Sequence, residues 1–176
     1  MVKEKYKSFD VLIEIPRGSR NKYEYDFKLK RIRFDRMLFS SMMYPADYGF
    51  IPQTLALDGD PLDVLVLINE PTFPGCVMEV KPIGVFHMAD DKGPDEKVIC
   101  VPVSDPIWNS LENLSDINPH LLKEIEHFFQ VYKDLENKQV DVEGWGDVNE
   151  AYAIIKECTE RFDQIENKPE GLFSIK

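Results

Sequence analysis

An uninterrupted apolar run, Val64-Leu65-Val66-Leu67-Ile68, follows directly on Asp58-Gly59-Asp60-Pro61-Leu62-Asp63. A run of this length, rich in β-branched residues and preceded by turn formers, reads as a buried strand. Gly59 and Pro61 mark the tight turn before it. The chain must therefore fold so that a core strand begins where three carboxylates gather. Unpaired carboxylates this close repel one another, and each loses solvation where the strand enters the core. A hard cation such as Mg²⁺, Mn²⁺ or Ca²⁺ relieves both costs. Asp-Gly-Asp-Pro also serves as plain turn chemistry with solvated side chains, so this stretch alone leaves both readings open. It is not an EF-hand, whose loop needs Gly sixth and Glu twelfth, where Asp63 and Asn69 stand.

Other strands surround this one. Phe9 to Pro16 alternates, with Glu14 pointing opposite to Ile13 and Ile15. Lys22 to Phe27 places Lys22, Glu24 and Asp26 on one face and aromatic residues on the other, and Ile32 to Met37 carries Arg33 and Arg36 beside Arg31. Tyr44 to Pro52, with two prolines and a glycine, is expected to be an irregular, core-covering loop, and its Tyr44 and Tyr48 hydroxyls could reach an anion. Val77 to Met88 and Lys97 to Val103 are further strands. Between them Ala89 to Lys97 reads as a hairpin-type loop with a second acid cluster, placed to meet the first.

The last third is helical. From Asn118, a cap-and-Pro pair opens a stripe of Leu121, Leu122, Ile125, Phe128, Phe129, Tyr132 and Leu135. After an acidic stretch over Val140 to Gly146, Asp147 and Glu150 have capping-box spacing, and Val148, Tyr152, Ile155, Thr159 and Phe162 form a second buried stripe. Strands first and two helices last define an α+β, mainly β arrangement, most simply a small barrel flanked by the two C-terminal helices. Residues 1–176 are expected to form one domain.

Composition narrows the function. The net charge of −11 argues against a nucleic-acid or anionic-membrane surface, and no apolar run is long enough to cross a membrane. Acids neutralised by metal ions still leave room for an anionic substrate. Met1 to Lys7 is charged with no apolar core behind it, so a secretory leader is not expected. Cys76, Cys100 and Cys158, widely spaced and odd in number, read as free thiols of a cytoplasmic protein. Neither they nor His87, His120 and His127 show the spacing of a nucleophilic site.

Four stretches in order, spanning nearly the whole chain, resemble the soluble inorganic pyrophosphatases of family I in their short bacterial form. They are Ile13 to Glu24, Asp58 to Val64, Asp90 to Lys97, and Phe128 to Leu135. The resemblance implies an OB-like five-stranded β-barrel and Mg²⁺-dependent hydrolysis of pyrophosphate to two orthophosphates. Mn²⁺ or Zn²⁺ would be the substitutes and Ca²⁺ an inhibitor. It implies Asp58, Asp60, Asp63, Asp90, Asp95 and Glu14 as metal ligands, and Lys22, Arg36, Tyr48, Lys97, Tyr132 and Lys133 as the groups holding phosphate oxygens. Glu24 and Tyr44 would stand behind them, and the assembly would be a homohexamer. The chain departs from the family pattern at Phe50, where many relatives have Tyr, and at Asp47, where they often have Asn.

The chemistry suits these residue types. Hydrolysis must neutralise phosphate oxygens, make a nucleophile at neutral pH and stabilise the leaving phosphate. Two metals sharing one water lower its pKa from ~15.7 towards ~7. Asp63, at the strand start, is the choice for handling that water's proton, with Asp60 the alternative. Lys22, Arg36, Lys97 and Lys133 supply the cationic clamp. Two rival readings are an OB-like binding module without catalysis, which would display exposed aromatics among basic residues, and a phosphohydrolase acting on nucleotides. No glycine-rich Walker loop is present, which leaves the second open.

Overall fold

The computed structural model describes residues 8–168 and Phe173, so the stretch Met1 to Lys7 lies outside the described residues. Its frame is a closed ring of five strands. β1 (Phe9–Ile15), β4 (Asp47–Phe50), β5 (Asp63–Val66), β8 (Lys97–Pro102) and β6 (Val77–Asp90) pair in that order, and β1 pairs back onto β6. All neighbours are antiparallel except β5 and β8, which run parallel. β6 has the length to close the ring: its first residues pair with β1, its middle with β8, and its end with β9 (Asp141–Gly146) and the short β7 (Gly93–Pro94). Outside the ring, β2 (Asn21–Asp26) and β3 (Arg31–Met37) form a separate two-stranded sheet.

Two elements differ from the sequence expectation. The Tyr44 to Pro52 stretch contains β4, a member of the ring. Its Gly49 lies so close to β1 that a Cβ there would stand 1.9 Å from the Leu12 carbonyl oxygen, so glycine here permits strand pairing rather than breaking it. The acidic stretch before the second helix forms β9, in which a bulge at Glu143 interrupts the alternation, so that Val142 and Trp145 both pack on the core while Asp141 and Glu143 are exposed.

Helix α1 (Pro119–Val131) starts where Asn118 accepts the His120 N–H, and it buries Ile125, Phe128 and Phe129. It ends earlier than the stripe suggested: a short 3-10 turn follows, and Leu135 is 63% exposed. Helix α2 (Val148–Asp163) begins with Asp147 accepting the Glu150 N–H, as expected. Its buried face is Ala151, Ile155, Cys158 and Phe162, rotated from the predicted stripe so that Val148, Tyr152 and Thr159 lie at its margin.

The helices cover two different sides. α1 packs with Phe86, Met88, Ile99 and Tyr44 in one apolar cluster. α2 packs with Val64, Val66, Val85 and Val98 in another. Val64 to Leu67 is buried throughout, so the strand behind the acidic turn is fixed from both faces. Among the described residues no helix is long and apolar enough to cross a membrane.

Candidate active site

At one end of the ring lies a pocket of about 420 Å³ lined by eight acidic and six basic side chains, among them Glu14, Asp58, Asp60, Asp63, Asp90, Asp95, Lys22, Arg36, Lys97 and Lys133. Strand register gathers them. Asp63 and Lys97 are partners in the parallel β5–β8 ladder. Lys97 is 2% exposed, and its Nζ donates to both Asp63 Oδ2 and Asp95 Oδ1 at 2.5 Å. Tyr48, on β4, donates its hydroxyl to the same Asp63 oxygen at 2.6 Å. Asp63 Oδ1 has no hydrogen-bond partner among the described residues.

One ammonium between two carboxylates leaves this trio with an excess negative charge. Burial works against the Lys97 charge, but Asp63 and Asp95 outweigh it and hold the ammonium above its usual range. Asp95 itself is held above the ordinary carboxylate range, first by burial, because Lys97 is shared with Asp63. Asp60 is also raised, by burial and by the neighbouring Asp58 charge. Glu14 occupies the irregular step between Ile13 and Ile15 in the β1–β4 pairing, a bulge that aims it inward. Burial pushes its carboxyl up to about 8, although the Tyr25 N–H donates to it at 2.7 Å.

The basic side chains arrive from three directions. Lys22 and Arg36 face each other across the β2–β3 hairpin. Lys22 contacts Glu24 and Asp35, and these acids outweigh burial to raise its pKa. Arg36 makes a two-pronged contact with Glu136, both bonds 3.0 Å, beside Asp35. Lys133, just past α1, donates to Asp90 Oδ2 at 3.1 Å, and Tyr132 lines the pocket next to it. Tyr44 is buried one layer behind, its ring 5.5 Å from that of Tyr48 and 4.9 Å from that of Phe128.

Every predicted site residue except Tyr44 therefore lines one pocket, and Tyr44 packs against its wall. Sequence reading missed Asp35, Glu136 and Lys138. Asp35 is the extra residue of a bulge between the Lys22–Arg36 and Tyr23–Phe34 pairs, so alternation along β3 could not have placed it beside Lys22. Glu136 lies 100 residues from its partner and carries no local signal.

Among the described residues no three His, Cys, Asp or Glu side chains converge as a ready metal cage. The carboxylates line the walls, and Asp63 and Asp95 turn onto Lys97. The donor chemistry still fits divalent ions: the acids are all hard oxygen ligands, and at Glu14, Asp60 and Asp95 burial, with neighbouring carboxylates adding to it, holds the carboxyl above its ordinary range, a cost that a bound cation would relieve. Acids of the kind that bind hard cations and bases of the kind that bind an anion thus share one pocket.

The model of the inorganic pyrophosphatase family matches residues 11–163. An inorganic pyrophosphatase of Methanosarcina mazei is 61% identical over 154 residues, 88% of this chain and 91% of the relative. One from Leifsonia xyli is 53% identical over 150 residues, 85% of this chain and 92% of the relative. The crystal structure of inorganic pyrophosphatase from Thermus thermophilus superposes with a TM-score of 0.87 at 45% identity, covering 89% of this chain and 92% of the other. The chain belongs to the inorganic pyrophosphatase family, whose members are hydrolases that need a divalent metal.

Proposed function

We propose that this protein hydrolyses inorganic pyrophosphate to two orthophosphates with Mg²⁺ as its metal, in the pocket described above. The observation that carries this reading is the Asp63–Lys97–Asp95 trio, with Lys97 buried at its centre, among further acids and bases in one pocket. Glu14, Asp58, Asp60, Asp63, Asp90 and Asp95 would hold the ions. When bound, the ions supply charge neutralisation and lower the pKa of water.

The chain's own groups do the rest. Asp63 takes the proton of the attacking water at its carboxylate. Support for choosing it over Asp60 comes from its place at the start of a rigid core strand and from Tyr48 and Lys97, which fix Oδ2. Lys22, Arg36, Lys97, Lys133, Tyr48 and Tyr132 hold phosphate oxygens. Several of these cations are paired with acids, and a phosphate competes for them while a metal ion takes over the acids. The charged pairs are thus exchangeable on both sides. Glu24 and Tyr44 orient this set.

The three free thiols, two of them buried, support a reducing, cytoplasmic setting. Exposed Phe34, Phe39, Met43 and Phe73 support self-association, read as a homohexamer. The functional test compares phosphate release from pyrophosphate and from ATP with Mg²⁺ present. Release from pyrophosphate should dominate; preferential release from ATP would favour the nucleotide reading.

A further inference from the structure

The β2–β3 hairpin carries Lys22, Glu24, Asp35 and Arg36 to the pocket, yet its ladder is separate from the ring. A lone two-stranded hairpin is at best marginally stable in water, so its attachments decide where those charges stand. Near the ring, the Tyr25 N–H donates to Glu14, and Arg36 is held by Glu136. At the turn, Phe27 packs at 5.5 Å on Phe50 and, edge-on at 5.1 Å, on Phe173.

Phe173 lies past the residues matched by the family model and belongs to none of the four stretches that carry the resemblance. Its ring meets Phe162 of α2 at 6.4 Å on one side and Phe27 on the other, and it lines the same pocket as Asp58 and Lys22. Its carbonyl accepts the Gln53 N–H at 2.8 Å. Both residues sit in the left-handed backbone region, Phe173 at φ 46° and Gln53 at φ 58°. Such conformations persist in non-glycine residues when surrounding contacts hold them.

Gln53 leads into the acidic turn. The Leu55 N–H donates to the Cys158 carbonyl, Arg161 Nη1 donates to the Leu55 carbonyl, and the Ala56 N–H closes onto the Asp60 carbonyl at 2.8 Å. One aromatic residue therefore contacts the hairpin that brings Lys22 and Arg36, the segment that brings Asp58 and Asp60, and the helix that braces that segment.

We infer that Phe173 is a positioning residue: it sets the separation between the basic hairpin and the acidic turn, and so acts on binding of the metal-loaded diphosphate rather than on the chemical step. The inference rests on the pyrophosphate-hydrolase reading of the pocket. Its action runs through Phe27 and Gln53, not through contact with reacting atoms.

The test uses the full chain and its Phe173→Ala, Phe173→Leu, Phe27→Ala and Phe27→Ala/Phe173→Ala variants. Pyrophosphate hydrolysis at saturating Mg²⁺ is read as KM and kcat, alongside amide hydrogen exchange. Phe173→Ala should raise KM about two- to tenfold, the scale of a lost aromatic pair, with kcat within about twofold. Phe173→Leu should restore part of it, and the double variant should be little worse than Phe27→Ala alone. Exchange should quicken in 22–36 and 53–60 and stay slow in the β5–β8 ladder. An unchanged KM, a fall in kcat alone, or additive effects of the two substitutions would overturn the positioning role. Should Phe173→Ala not fold, the same KM-against-kcat split in Phe173→Leu decides it. A wild-type protein that releases no phosphate overturns the functional reading instead, and the exchange comparison, which needs no turnover, then decides the positioning role.

Discussion

The β4–β5 ladder carries an aspartate at each end. Asp47 lies opposite Val66, and Asp63 lies opposite Phe50. Asp47 is 0% exposed and accepts from the Arg17 N–H at 2.7 Å, the Thr72 N–H at 3.0 Å and the Thr72 hydroxyl. Its donors are neutral and two of the three belong to the backbone, so it ties two loops to the ring. The Asp63 side chain is 23% exposed, and its partners are a tyrosine hydroxyl and an ammonium that also serves Asp95. The same residue type on the same ladder is a fixture at one end and, in the function proposed above, an exchangeable ligand at the other. The difference lies in whether its donors can be given up without burying an unpaired charge.

That contrast breaks most sharply under substitution. Asp63→Asn should fold normally yet lose about a hundredfold or more in kcat, the range expected for a group that moves a proton in the rate-limiting step. Steady-state phosphate release with circular dichroism checks it, and a variant of near-native activity removes Asp63 from the mechanism. Asp47→Ala should do the reverse. Stranding three part-buried donors costs about 3 kcal/mol, while the folded fraction keeps its turnover. A denaturant titration paired with specific activity reads both, and a large loss of kcat at full folding would erase the distinction between the two ends.

A smaller effect comes from metal binding to the native state. Mg²⁺ at about a hundred times its dissociation constant should stabilise the wild type by about 2.7 kcal/mol. The gain should persist in Asp47→Ala and shrink in Asp63→Asn. Equal stabilisation in all three proteins would place the ion elsewhere.

The smallest effect belongs to an aspartate of neither kind. Asp26, partly exposed, accepts the Leu29 and Lys28 N–H groups at the hairpin turn and sits near Arg33; these outweigh its slight burial and hold its carboxyl below the usual range. A depressed folded-state pKa means the contribution is present above the unfolded value and is lost as pH falls through the folded one. The stability difference between wild type and Asp26→Asn should therefore be seen near neutrality and vanish in acid. A difference that grows as pH falls would reverse the assignment.

Much of this was legible in the chain because local signals and the final structure agree. The Asp-Gly-Asp-Pro turn does precede a buried strand, with Gly59 at φ 90° where a side chain would be strained. Asn118 and Asp147 do cap their helices. What escaped depended on pairing at long range. β4 was hidden by its flanking prolines and by Gly49, whose purpose appears only against the Leu12 carbonyl. Asp35 was hidden by a bulge that breaks alternation. The contact of Asp63 with Lys97 needed the parallel register of β5 and β8, which no single stretch encodes. Glu136 and Phe173 reach the site only through the folded chain.

The central claim is that the acids around Asp63 work by holding Mg²⁺ for pyrophosphate hydrolysis. Its most direct test is phosphate release from pyrophosphate by protein stripped with a chelator and then titrated with Mg²⁺. Activity should be abolished in the stripped protein and return with added Mg²⁺. Hydrolysis that continues undiminished without any divalent ion would contradict the account.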